Sequence, residues 1–146
     1  MTLDNFILQS WAIEGEFLGP TDRIEITTHV REFLKRELTE LSVLRLMADV
    51  FKGRIQLRSS PGMDVRVGSH NAPPGGPNIG KQLNDLLEDS RHLTPFELYC
   101  RFETLHPFTD GNGRMGRFVW LHKMGGNVDL LFLQAFHYQA LDAWDR

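Results

Sequence analysis

A chain of 146 residues with 41% hydrophobic and 24% charged residues has the composition of one ordinary globular domain, long enough to bury a core without disulfides or metal staples. A formal net charge of −3 excludes a broad nucleic-acid footprint, and the absence of any run of about 18 apolar residues excludes a membrane span. The single cysteine, Cys100, excludes a disulfide framework and reads as a buried structural thiol. No basic stretch precedes the first apolar residues, so no secretory signal is read. The expected location is the cytoplasm, of the producing cell or of one to which the protein is delivered.

In chain order, Phe6, Ile7, Trp11 and Ile13 form a short apolar stripe that stops at Gly15, a natural helix terminator. Gly19-Pro20 marks a loop. Asp22 is expected to cap a second helix, with Glu25 in capping-box register and Ile24, Ile26, Val30, Phe33 and Leu34 continuing it. Thr39 or Glu40 opens a third, with Leu41, Leu44, Met47, Ala48 and Phe51 on one face.

Residues 53–80 break the helical pattern. Pro61-Gly62 and the run from Ala72 to Pro77 cannot be helix interior. Ile55–Arg58 and Asp64–Val67 alternate with period two around a Pro-Gly turn, which predicts a small hairpin. A lone two-stranded hairpin is marginal, so it must lean on the helical body or on a partner. Helices resume over 79–89. Thr94-Pro95 starts another with a cap and a first-turn proline, and His106-Pro107 ends it. A helix follows over 112–124, stopped by Gly125-Gly126. A last, heavily apolar helix is expected over 129–144.

The segment with chemistry in it is His106-Pro107-Phe108-Thr109-Asp110-Gly111-Asn112-Gly113-Arg114-Met115-Gly116-Arg117. Glycines allow close backbone approach, and a helix start offers free N–H donors and a positive dipole end. Together they make an anion site. Arg114 and Arg117, three apart on one helix, make electrostatic sense there when a polyanion neutralises them. Asp110 is a carboxylate of the kind that holds Mg²⁺ beside phosphates, and His106 is a base titrating near neutrality. A polar loop with solvated arginines is the competing account. His29, His92, His122 and His137 show no metal-ligand spacing.

This run resembles the Fic-domain signature, His-x-Phe-x-(Asp/Glu)-Gly-Asn-Gly-Arg-x-x-Arg, at every fixed position. The resemblance implies one domain over 1–146: a mainly α, Fic-like helical bundle, with a β-hairpin flap over the active site. Within it, 1–15 would be an inhibitory helix, 53–80 the flap and a proline-rich loop, and 94–124 the catalytic helix-loop-helix. It also implies transfer of AMP from ATP to a Ser, Thr or Tyr hydroxyl of a target protein. His106 would be the general base, Phe108 the loop's anchor and Asp110 the Mg²⁺ ligand. Gly111, Asn112 and Gly113 would form the anion nest, and Arg114 and Arg117 would hold the β- and γ-phosphates. The Gly-Asn-Gly-Arg form differs from the degenerate loop of the related Doc kinases, which transfer a γ-phosphate.

Ser10-Trp11-Ala12-Ile13-Glu14-Gly15 resembles the family's inhibitory motif, (Ser/Thr)-x-x-x-Glu-(Gly/Asn). Ser10 and Glu14 share a helix face, and a carboxylate there would pair with Arg117 where the γ-phosphate belongs. The brake would act within the chain or between subunits of a homodimer; an ordinary solvated helix end is the competing account. Some relatives use this glutamate to remove AMP, and a catalytically silent nucleotide-binding module is a further alternative. Val65, Arg66 and Val67 are the candidates for docking an extended target segment; shielding the nucleotide is the other role open to the hairpin. His70 is expected as a polar loop residue, and Tyr138 as core or adenine contact.

Overall fold

The computed structural model describes residues 2–128. The expected final helix and Tyr138 lie outside the described residues. The chain runs α1 (Leu3–Ile13), α2 (Pro20–Lys35), α3 (Glu40–Phe51), β1 (Arg66–Val67), β2 (His70–Asn71), α4 (Asn78–Glu88), a 3₁₀ turn (Asp89–His92), α5 (Pro95–Leu105) and α6 (Asn112–Lys123). It is the mainly α bundle with a small antiparallel hairpin that the sequence implies. Among the described residues, no helix is long and apolar enough to cross a membrane.

Local chemistry explains most helix ends. Thr39 and Ser42 close a reciprocal capping box at α3, and Thr94 and Glu97 do the same at α5. Thr2 Oγ1 accepts the Asn5 N–H at the start of α1. Asp22, however, does not cap α2. That helix begins two residues earlier, at Pro20, whose fixed φ and missing N–H suit a first helical position after Gly19.

The hairpin also differs from its expected pairing. Arg66 faces Asn71 and Val67 faces His70 across the two-residue Gly68-Ser69 turn, with Gly68 at φ 60° and Ser69 outside the positive-φ region. Glycine first with only one positive φ is the pattern of a II′ turn, which matches strand twist. Residues 55–58 do not pair with 64–67. They lie against the loop after α5 instead: Leu57 bridges Phe108 in antiparallel sense, Arg58 N–H donates to the Pro107 carbonyl at 2.9 Å, and Thr109 N–H to the Gln56 carbonyl at 2.9 Å. His70 is therefore a β2 residue, not a loop residue.

The core is centred on α6. Met115, Phe118, Val119, Trp120 and Leu121 are all buried, a helix enclosed on every side, and it packs against α1, α2, α3 and α5. Phe6 of α1 stacks on Trp120 with ring centroids 5.8 Å apart, and Trp11 packs on Phe118. These contacts on the second half of α6 seat α1 so that its C-terminal end reaches the arginines. Cys100 is half-buried rather than enclosed, and burial pushes its thiol up, away from reactive thiolate.

Phe6→Ala removes the ring that seats α1 on α6. It is expected to cost about 3–5 kcal/mol of unfolding free energy, the range for truncating a buried aromatic, measured by urea denaturation.

Candidate functional site

His106 ends α5 in the left-handed region, at φ 51° and ψ 60°, an uncommon conformation for a non-glycine residue. Its Nδ1 lies 3.1 Å from the Glu103 carbonyl. A carbonyl only accepts, so Nδ1 carries the proton and Nε2 keeps its lone pair. Burial lowers the imidazole's pKa. The Glu103 hydrogen bond opposes that, and the Arg58 charge adds to it. The net shift favours the neutral ring, the form a base needs.

The turn after it is held from inside. Phe108 is buried against Phe102. The Asn112 amide clamps it at both ends, accepting from Phe108 N–H and donating to its carbonyl, each at 2.9 Å. The Asn112 side chain is thus committed to the turn, and what it offers a ligand is its backbone N–H. The first i→i−4 bond of α6 is Met115 N–H to the Gly111 carbonyl, so the donors ahead of it form the helix-start anion site. Gly111 takes φ +71°, and a Cβ there would crowd Phe51 and Ile55.

The two arginines diverge. Arg117 is 1% exposed. Its Nε donates to Ser10 Oγ at 2.7 Å, and its Nη2 to the Ser10 carbonyl at 2.9 Å and to Glu14 Oε1 at 2.7 Å. Gly113 makes room for this pair: a Cβ there would stand 2.7 Å from Glu14 Oε1. Arg114 lies over the rings of Trp11 and Phe51 and donates to Glu16 Oε2 at 3.0 Å. Arg117 shares a cleft with His106, while Arg114 lines a neighbouring one, and Asp110 borders both. The sequence puts both arginines on one helix face, yet the structure does not bring them into one cleft.

Val65, Arg66 and Val67 line the cleft of His106 and Arg117, so the hairpin overhangs it. Asp110 is exposed, with Oδ1 accepting the Gly111 N–H at 2.7 Å. A single hard carboxylate fits Mg²⁺ when phosphates supply further ligands. Among the described residues, no group of three or more His, Cys, Asp or Glu is arranged to hold a metal by itself.

Sequence reasoning missed four residues here. Glu16 stands one glycine beyond Glu14, a spacing that could have suggested a second acid. Arg58 lies in a polar register position with no local signal. Glu103 and Gly116 face one another between α5 and α6: a Cβ at Gly116 would sit 2.5 Å from Glu103 Oε1. That oxygen is buried without a hydrogen-bond partner. Burial pushes the Glu103 carboxyl up to about 8. Arg117 pulls it down and Glu14 raises it further.

The family model described as the Fic/DOC family matches residues 33–122. Among solved structures, a Fic family protein from Desulfovibrio desulfuricans G20 superposes with a TM-score of 0.53 at 22% sequence identity, over 83% of this chain and 45% of that one. The chain therefore spans less than half the length of that relative. Among curated proteins no match was found.

A glutamate whose folded pKa stands above its unfolded value favours folding below the unfolded pKa and loses that contribution as pH rises through the folded one. Stability should therefore fall between about pH 4.5 and 8 through Glu103. In Glu103→Gln that component of the slope should vanish, as measured by urea unfolding across this range. Gly116→Ala should cost about 1–3 kcal/mol, the usual range for overpacking.

Proposed function

Because the chain belongs to the Fic/DOC family, we propose that it is a protein adenylyltransferase, moving AMP from ATP to a Ser, Thr or Tyr hydroxyl of a target protein, and that α1 holds it at rest. The observation that carries this reading is the occupation of both arginines beside the α6 start by carboxylates from the end of α1. Glu14 is on Arg117 and Glu16 on Arg114. Cations beside a helix N-terminus are matched to phosphates, and acids standing on them are competitors for the same place.

In this reading the α6 N–H donors and the arginines hold the triphosphate, and the flap presents the target hydroxyl to His106. Nε2 takes the hydroxyl proton as its oxygen attacks the α-phosphorus in line. The bond to the β-phosphate oxygen breaks and pyrophosphate leaves. Positioning and charge neutralisation supply most of the acceleration. Mg²⁺ on Asp110, when bound, would neutralise charge on the phosphates. The proposed site lies in the cytoplasm of the cell where the target resides.

Gly15, at φ +74°, turns the chain so that the acids on either side of it reach different arginines. Ser10 supports Glu14 by taking Nε of the same guanidinium. The pairing is within one chain, which supports a brake that acts within the chain.

The test incubates wild type, Glu14→Gly, Glu14→Gly/Glu16→Gln and His106→Ala with α- or γ-labelled ATP and Mg²⁺. Glu14→Gly should take up α label at least about tenfold faster than wild type, equivalent to about 1.4 kcal/mol of lost competition. The double variant should exceed it. His106→Ala should lose about 10²–10⁴-fold. Label from γ alone would mean kinase chemistry. Wild type stripping AMP from a labelled target, with Glu14→Gly inert, would mean the reverse reaction. Nucleotide binding without label in every variant would mean a silent module.

A further inference from the structure

Arg58 has no solvent exposure. A buried guanidinium is tolerated only when its N–H groups find acceptors, and these do so entirely on backbone. Nε donates to the His106 carbonyl at 2.7 Å and Nη2 to the Leu105 carbonyl at 2.9 Å. Nη1 donates to the carbonyls of Met63 and Pro73, each at 2.9 Å. The residue's own backbone joins in, with N–H on the Pro107 carbonyl and its carbonyl taking the Gly76 N–H, both at 2.9 Å.

The choice of acceptors is informative. Leu105 and His106 are the last carbonyls of α5, which a helix leaves without partners and at its negative dipole end. Met63 and Pro73 are the two stems of the hairpin, one just before it and one just after. One planar fork therefore ties both stems of the flap to the peptide that carries the base. It does so where the backbone of His106 is in an uncommon conformation. A lysine ammonium is a point charge without that geometry.

We infer that Arg58 is a positioning residue that fixes the flap in register with His106, so that a target strand laid on the flap delivers its hydroxyl to Nε2. The inference rests on the proposed roles of His106 and the flap. Its charge has a second consequence. His106 is faced by Arg58 from the segment under the loop, His70 from β2, Asp110 from the turn and the Glu103 carbonyl from α5. Arg58 and His70 favour the neutral ring and Asp110 the charged one. Removing Arg58 therefore raises the imidazole pKa, and the acid limb of a base-dependent rate moves to higher pH.

The test compares Arg58→Lys and Arg58→Met in the Glu14→Gly background. It reads amide hydrogen exchange over residues 64–72, the NMR titration of His106 without nucleotide, and α-label transfer with its kcat and KM for ATP. Arg58→Lys keeps the charge and loses the fork. It should leave the His106 titration in place, speed flap exchange at least about tenfold, and lower kcat about 100-fold with KM for ATP unchanged, the scale of a misplaced reacting group. Arg58→Met should in addition move the titration upward. The inference is overturned if Arg58→Lys exchanges and transfers at the parental rate, or if its kcat falls only with the folded fraction seen by circular dichroism. If Arg58→Met does not fold, Arg58→Lys decides. If Glu14→Gly itself transfers nothing, the proposed function fails, and flap exchange and the His106 titration still decide the role of Arg58.

Discussion

An arginine buried as deeply as Arg117 gives up its hydration, and the surrounding structure must replace it group by group. Much of the molecule is arranged around that requirement. α6 is enclosed by other helices, so its polar N-terminal half cannot turn outward without exposing Phe118, Trp120 and Leu121. The acceptors must then come to Arg117, and α1 brings them: a hydroxyl and a carbonyl from Ser10 and a carboxylate from Glu14. Phe6 and Trp11 of the same helix supply the apolar contacts that hold it there. Packing and charge compensation are thus carried by one short helix, which supports the proposed role of that helix as the brake.

The base side of the cleft obeys a similar rule with the opposite sign. The end of α5 leaves carbonyls that need donors, and Arg58 supplies them from beneath the turn. The anion site is built from donors awaiting an acceptor, and the base from carbonyls already satisfied. The difference suits the proposed reaction, in which the first would accept and release a ligand and the second would stay still.

Between them, Glu103 and Gly116 show a cost concentrated in one place. A glycine inside a helix is unfavourable by roughly 1 kcal/mol relative to alanine, and a buried carboxyl oxygen without a partner costs more. Both occur where α5 meets α6, beside Arg117 and next to the Tyr99 ring. Burial drives the neighbouring acid toward its neutral form, and the Glu14 charge on the same guanidinium adds to this.

The sequence by itself determined the helix starts at Thr39 and Thr94, the stop at Gly15 and the turn from His106 to Gly113. Each of these is set within a few residues, by caps or by glycine and proline. The start of α2 was misread because two valid local signals, Pro20 and Asp22, competed. Only the tertiary structure decided which strands pair, that Arg114 and Arg117 part into separate clefts, that Glu16 reaches the first of them, and that Arg58 binds the flap to the base. Those outcomes join residues tens of positions apart, through backbone carbonyls that every sequence has in equal supply. No pattern of side chains marks which carbonyl a buried cation will find; the packing of α6 against its neighbours fixes that.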